Sequence, residues 1–215
     1  MLARKLVIYV TELTSFMFCE LSYYFMKQKI PSKDSDINYR LLKGKITHSQ
    51  LYNEHYNNST GLETFDSALI KTLHDDRVRI LRELRVSLDR PAYQLIGRID
   101  EVRFEPTRIV IVDDKDTDHI SPLMLEKYRL QLELYCYLLF EEYFPFFQIH
   151  YELRQANTEK TFLTGVFRPL TKYFWDSAIV RLIDFWSGEL TLVKTTHPFT
   201  CSECLFHHSV CEGTI

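Results

Sequence analysis

Glycine is scarce in this chain, six among 215 residues, so long flexible linkers are not expected. No apolar run approaches the roughly 20 residues that a membrane helix needs. The opening stretch MLARKLVIYVTELTSF has only a short apolar core and no small-residue cleavage site, and a secretory signal is therefore not expected. Positive charge is not in excess either. A net charge of −3 excludes nucleic-acid binding by bulk charge, and any such binding would need a local basic surface. Repeats and low-complexity segments are lacking. Five cysteines, an odd count without a secretory signal, argue against a disulfide framework and for a reducing, cytoplasmic setting, or host cytoplasm for a viral protein.

What is present is a composition of 46% hydrophobic and 26% charged residues with 15 Phe and 13 Tyr, enough for the core of one ordinary domain. Thr11 is placed to cap a helix reaching Lys27, with Leu13, Phe16, Met17, Leu21 and Tyr24 at helical spacing. A second helical segment spans Asn38 to Tyr56. The spacing predicts another helix from Phe65 to Arg85, then strands over Tyr93–Phe104 and Arg108–Lys115. Ser121-Pro122 opens a helix to Tyr143 that is apolar on most sides. Gln148–Arg154 and Thr161–Phe167 alternate as a strand pair, and Thr171 starts a last helix ending near Gly188. The order predicts a mixed α/β fold, a mixed central sheet flanked by helices.

The run Ile109-Val110-Ile111-Val112 empties into Asp113-Asp114-Lys115-Asp116, and Asp100 closes a similar run upstream. A turn at Glu105-Pro106-Thr107-Arg108 would pair Phe104 with Ile109, Val102 with Ile111 and Asp100 with Asp113. Lys115, two residues on, shares their face. Opposed carboxylates repel, and a divalent cation between them is the simplest relief, with hard oxygen donors suiting magnesium or manganese. A lysine beside such an ion can orient a water or balance phosphate charge. A lone D-x-K triplet is more often a solvated strand end; its register with Asp100 favours chemistry.

These residues carry a resemblance. Gly97-Arg98-Ile99-Asp100, Asp113-Asp114-Lys115 and Gln131-Leu132-Glu133-Leu134-Tyr135 resemble the G-x-x-D, (D/E)-x-K and Q-x-x-x-Y motifs of RecB-like PD-(D/E)XK nucleases. The resemblance implies a catalytic set of Asp100, Asp113, Lys115, Gln131 and Tyr135, and a metal set of Asp100, Asp113, Asp114 and His48. His48 comes from Lys43-Gly44-Lys45-Ile46-Thr47-His48, which is similar to the family's G-x-x-x-H segment; His55 competes with it. Glu83 occupies a place where the family often has an acid. Arg77, Arg79, Arg82, Arg85 and Arg90, with Lys43 and Lys45, are candidate phosphate contacts, although interleaved acids are also compatible with an ordinary mixed-charge face.

Cys201, Cys204 and Cys211 form a C-x2-C-x6-C tail that needs a fourth ligand to complete a site. His207 or His208 would complete a zinc site locally; Cys19 would complete a [4Fe–4S] cluster from the first helix. Together with the nuclease motifs, the cysteines resemble the CRISPR-associated RecB-like exonucleases and the AddB-type helicase-nucleases, which implies the cluster. Cys19 is followed by Glu20-Leu21 where that family commonly has Pro-Arg. Cys136, in LYCYLLF, reads as a buried packing residue.

The resemblance implies one nuclease domain over residues 1–215, with 190–215 and the 11–27 helix forming an iron–sulfur clasp. It implies a magnesium- or manganese-dependent exonuclease on single-stranded DNA, 5′ to 3′. The setting would be CRISPR adaptation or viral or host recombination and repair, with integration or recombination proteins as partners. A homo-oligomer is compatible with this, and a membrane role is not expected. The alternative is a non-catalytic DNA-binding or assembly subunit with a structural metal cluster.

Overall fold

The computed structural model of the chain describes residues 5–28, 64–143, 147–158, 160–192 and 211. The segment expected to hold the Asn38–Tyr56 helix, with Lys43, Lys45, His48 and His55, lies outside them. So do Cys201, Cys204, His207 and His208.

The elements run β1 (Leu6–Tyr9), α1 (Val10–Phe18), α2 (Glu20–Lys27), α3 (Phe65–Asp75), β2 (Arg79–Asp89), β3 (Tyr93–Glu105), β4 (Arg108–Lys115), α4 (Pro122–Tyr143), β5 (Gln148–Gln155), β6 (Thr161–Val166), a 3-10 turn (Pro169–Thr171) and α5 (Lys172–Ser187). The six strands form one mixed sheet in the order β1-β3-β4-β5-β6, with β2 paired to β3. Strand β4 runs parallel to β5, and α4 makes the crossover between them. Ser121 caps α4 by accepting the Met124 N–H at 3.3 Å, as the Ser-Pro start predicts. The run Leu134–Leu139 of α4 is buried on every side, and Cys136 is fully enclosed within it.

The α-helices cover the sheet through aromatic contacts. Phe65 of α3 meets Phe104 of β3 edge-on at 4.9 Å and stacks on Tyr143 of α4 at 3.9 Å. Phe16, Tyr23 and Phe185 tie α1, α2 and α5 together. Trp175 of α5 is fully buried.

Three elements differ from expectation. Leu6–Tyr9 is a strand, and the first helix opens at Val10 with Tyr9, not Thr11, at its N-cap. The N-terminal helix breaks at Cys19, whose extended backbone (φ −163°, ψ 110°) closes α1 and caps α2. The Phe65–Arg85 helix ends at Asp75, where Asp76 takes a left-handed conformation (φ 56°), and Arg79–Asp89 is a strand. Leu81, Leu84 and Leu88 mimic helical spacing because the strand's alternation slips. Buried positions fall on Leu81, then on Val86 and Leu88, and between them Glu83 carries φ 54°.

Strand β3 slips at the same level. Its buried positions are Leu95, Gly97, Ile99 and Glu101, and then Val102 and Phe104, so that the apolar positions change from odd to even numbers past Asp100. One edge of β3 pairs with β2 over almost its whole length. The other edge is shared: β1 pairs with Tyr93–Ile96 and β4 with Glu101–Glu105. Residues 97–100 fall between these two neighbours.

Candidate active site

The hairpin register is the expected one, with Phe104 opposite Ile109, Val102 opposite Ile111 and Glu105 opposite Arg108. The ladder ends at Glu101 opposite Val112, one step before the two aspartates. There β3 leaves β4, and the Asp100 carboxylate accepts the Asp114 backbone N–H at 3.2 Å. The gap between β1 and β4 is thus lined by a carboxylate rather than closed by a ladder bond.

Asp113 is almost fully buried, and the Lys115 ammonium lies 2.8 and 2.7 Å from its two oxygens. The Tyr128 ring from α4 sits 4.6 Å from the same ammonium. Burial, and after it the Asp113 carboxylate, pushes Asp100 well above the usual carboxylate range. Burial alone would neutralise Lys115, but Asp113 and then Asp100 outweigh it and hold the ammonium above the usual lysine range. Tyr135 is raised by its burial first and by Asp113 and Asp100 next, which places its phenol beside the pair. Gln131 donates to that phenol oxygen at 3.4 Å, one helical turn away.

Gly97 explains how the helix comes so near. A Cβ there would lie 2.7 Å from the Tyr135 ring and 2.9 Å from Val10, closer than atoms can pack. The glycine of the G-x-x-D motif therefore gives α4 its approach to the gap.

Asp114 departs from expectation. Its side chain does not join the pair, because alternation along β4 turns it to the opposite face. There Arg154 grips it at 2.8 and 3.1 Å, and Arg82 approaches to 3.6 Å. The same two arginines hold Glu101, at 2.5 Å from Arg82 and 3.2 Å from Arg154. Glu101 follows Asp100 and Asp114 follows Asp113, so this clamp fixes both site strands from behind. Arg82 and Arg154 are positioning residues, and Arg154 carries no sequence signal beyond its place in β5.

The other expected basic contacts are largely engaged. Arg79 makes two bonds to Asp75, at 2.8 and 2.6 Å, and Arg90 meets Glu141 at 2.6 Å. Glu83, opposite Asp100 in the β2–β3 register, pairs with Arg98 at 2.8 Å. Cys19 is buried, and its Sγ accepts the Ser22 N–H at 3.5 Å. Cys211 is partly buried.

Among the described residues, no three His, Cys, Asp or Glu side chains group closely enough to hold a metal ion. The chemistry of the pair nevertheless suits a hard divalent cation. Asp100 and Asp113 bring two hard oxygen donors against one lysine, and burial, followed by the Asp113 charge, raises the Asp100 acid.

The chain thus presents a mixed sheet with a carboxylate pair and a lysine at the parting of two strands. Residues 62–212 match the PD-(D/E)XK nuclease superfamily. The chain belongs to that superfamily. Its fold resembles the crystal structure of SSO0001 (TM-score 0.52, 14% identity, covering 100% of this chain and 90% of that one). It also resembles a candidate exonuclease from Eubacterium rectale (TM-score 0.52, 12% identity, covering 99% and 92%). No curated protein matches the sequence. Among the described residues, no helix is long and apolar enough to cross a membrane.

Proposed function

We propose that this nuclease is an exonuclease on single-stranded DNA, working 5′ to 3′ with magnesium or manganese. The observation that carries the nuclease chemistry is the Asp100, Asp113 and Lys115 cluster in the gap of the β3 edge. Asp100, Asp113 and, from outside the described residues, His48 would hold the metal. When bound, the ion would polarise the phosphodiester and make its water more acidic. Lys115, held charged by two carboxylates, would orient the attacking water and offset charge building on the phosphate. Tyr135 and Gln131 would fix the substrate against α4.

The strand specificity, the polarity and a place in CRISPR adaptation or in recombination and repair rest on the resemblance of the motifs, as does a homo-oligomer. A [4Fe–4S] cluster on Cys19, Cys201, Cys204 and Cys211 is part of the same reading. Cys19 suits a thiolate ligand, being enclosed and already accepting a backbone N–H at the start of α2. Zinc is the competing occupant.

Single-stranded DNA labelled at one end or the other tests the polarity. Mononucleotide release from the 5′ label first supports the proposal; release from the 3′ label first, or internal cuts alone, overturns it. A brown preparation with four cysteine-dependent irons supports the cluster, and a colourless zinc protein overturns it.

A further inference from the structure

Lys127 belongs to α4, one turn before Gln131 and two before Tyr135, so the three occupy one face of the helix. Its neighbour Tyr128 is the residue whose ring covers Lys115. The Lys127 ammonium lies 5.7 Å from the Phe18 ring, where α1 ends and Cys19 begins α2. It therefore lies between α1 and α4.

The other cations of this region are already matched. Lys115 is held by Asp113, and Arg129 by Glu126 and Glu133. Among the described residues, Lys127 has no carboxylate at ion-pair distance. It is partly buried, and burial lowers its pKa with no anion acting the other way. A partly buried lysine beside a ring, with no carboxylate at ion-pair distance among the described residues, is poorly explained by packing alone, because the usual solution is to carry its charge out to water.

We propose that Lys127 binds a backbone phosphate of the single strand next to the one being cleaved, with Phe18 as an adjacent apolar wall for the sugar or base. This rests on the nuclease reading of the Asp100–Asp113 site. A phosphate there would supply an anion that the described residues do not, and guide the strand along α4 toward Lys115.

The test is equilibrium binding of a labelled single-stranded oligonucleotide across a salt series. The full chain carrying Asp113→Asn is compared with the same chain carrying Lys127→Gln or Lys127→Arg in addition. One lost phosphate contact reduces the salt slope by about 0.7 and the affinity about fivefold near 0.1 M salt. Lys127→Gln is expected to show both changes, Lys127→Arg to restore most of the binding, and all three proteins to melt alike. An unchanged slope and affinity in Lys127→Gln, or equal losses in both variants, would overturn the proposal. The nuclease reading fails separately: an unsubstituted chain that binds the strand but never cleaves it with metal supplied contradicts that reading, while the salt slopes in the Asp113→Asn background still decide the role of Lys127. A parent chain that does not bind single strands overturns both.

Discussion

Asp100 accepts the backbone N–H of Asp114 at 3.2 Å, across the point where β3 stops pairing with β4. A ladder bond has been replaced by a carboxylate, and the replacement fixes both the opening of the edge and the place of the acid in it. Asp100→Asn keeps the shape but weakens an acceptor bonded to a buried amide. It is expected to lose at least a hundredfold in cleavage while its melting temperature changes little. A variant that cleaves at the parent rate would remove Asp100 from the chemistry.

Lys115 meets both carboxylate oxygens of Asp113. Lys115→Met is expected to lower kcat by about 10²–10⁴, the usual worth of a positioned proton-transfer or charge-stabilising group. Loss confined to KM would indicate that the lysine only binds substrate.

The Arg82–Glu101–Arg154–Asp114 clamp makes a different prediction for the aspartate beside Asp113. Glu101→Ala leaves two arginines sharing Asp114 as the one remaining carboxylate of the clamp, and it is expected to cost about 3 kcal/mol in chemical unfolding. Asp114→Asn should likewise lower stability while leaving metal affinity, followed by calorimetry, close to the parent. A large loss of metal affinity with unchanged stability would return Asp114 to the ligand set.

Gly97→Ala drives a methyl into the Tyr135 ring and Val10, and overpacking of this kind costs about 1–3 kcal/mol. Pairing it with Tyr135→Leu should recover part of that loss, because the two side chains compete for one space. Strict additivity in the double-mutant cycle would show that the glycine serves some other purpose.

The hairpin ladder was legible in the sequence, because the turn at Glu105–Arg108 between two apolar runs leaves a single register for Phe104 with Ile109 and Val102 with Ile111, although the ladder stops one step short of the expected Asp100–Asp113 pair. The Gln131 and Tyr135 pair was legible for a similar reason, four residues apart on one helix. Strand β2 was not. Its alternation slips at Glu83, and a slipped strand of leucines and arginines has the same spacing as an amphipathic helix. The partner of the Asp114 side chain was not legible: nothing near it in sequence announces Arg154, forty residues on. The break at Cys19 was hidden because both halves keep helical periodicity, and only the extended backbone of one residue separates them.

Cleavage of end-labelled single-stranded DNA by the full chain and by Asp113→Asn, each with manganese, magnesium or chelator, tests the central claim most directly. The account predicts metal-dependent loss of substrate by the parent chain, none with chelator, and none from a variant that remains folded. Equal cleavage by parent and variant, or no cleavage of single or double strands by the folded, metal-supplied parent, would contradict it.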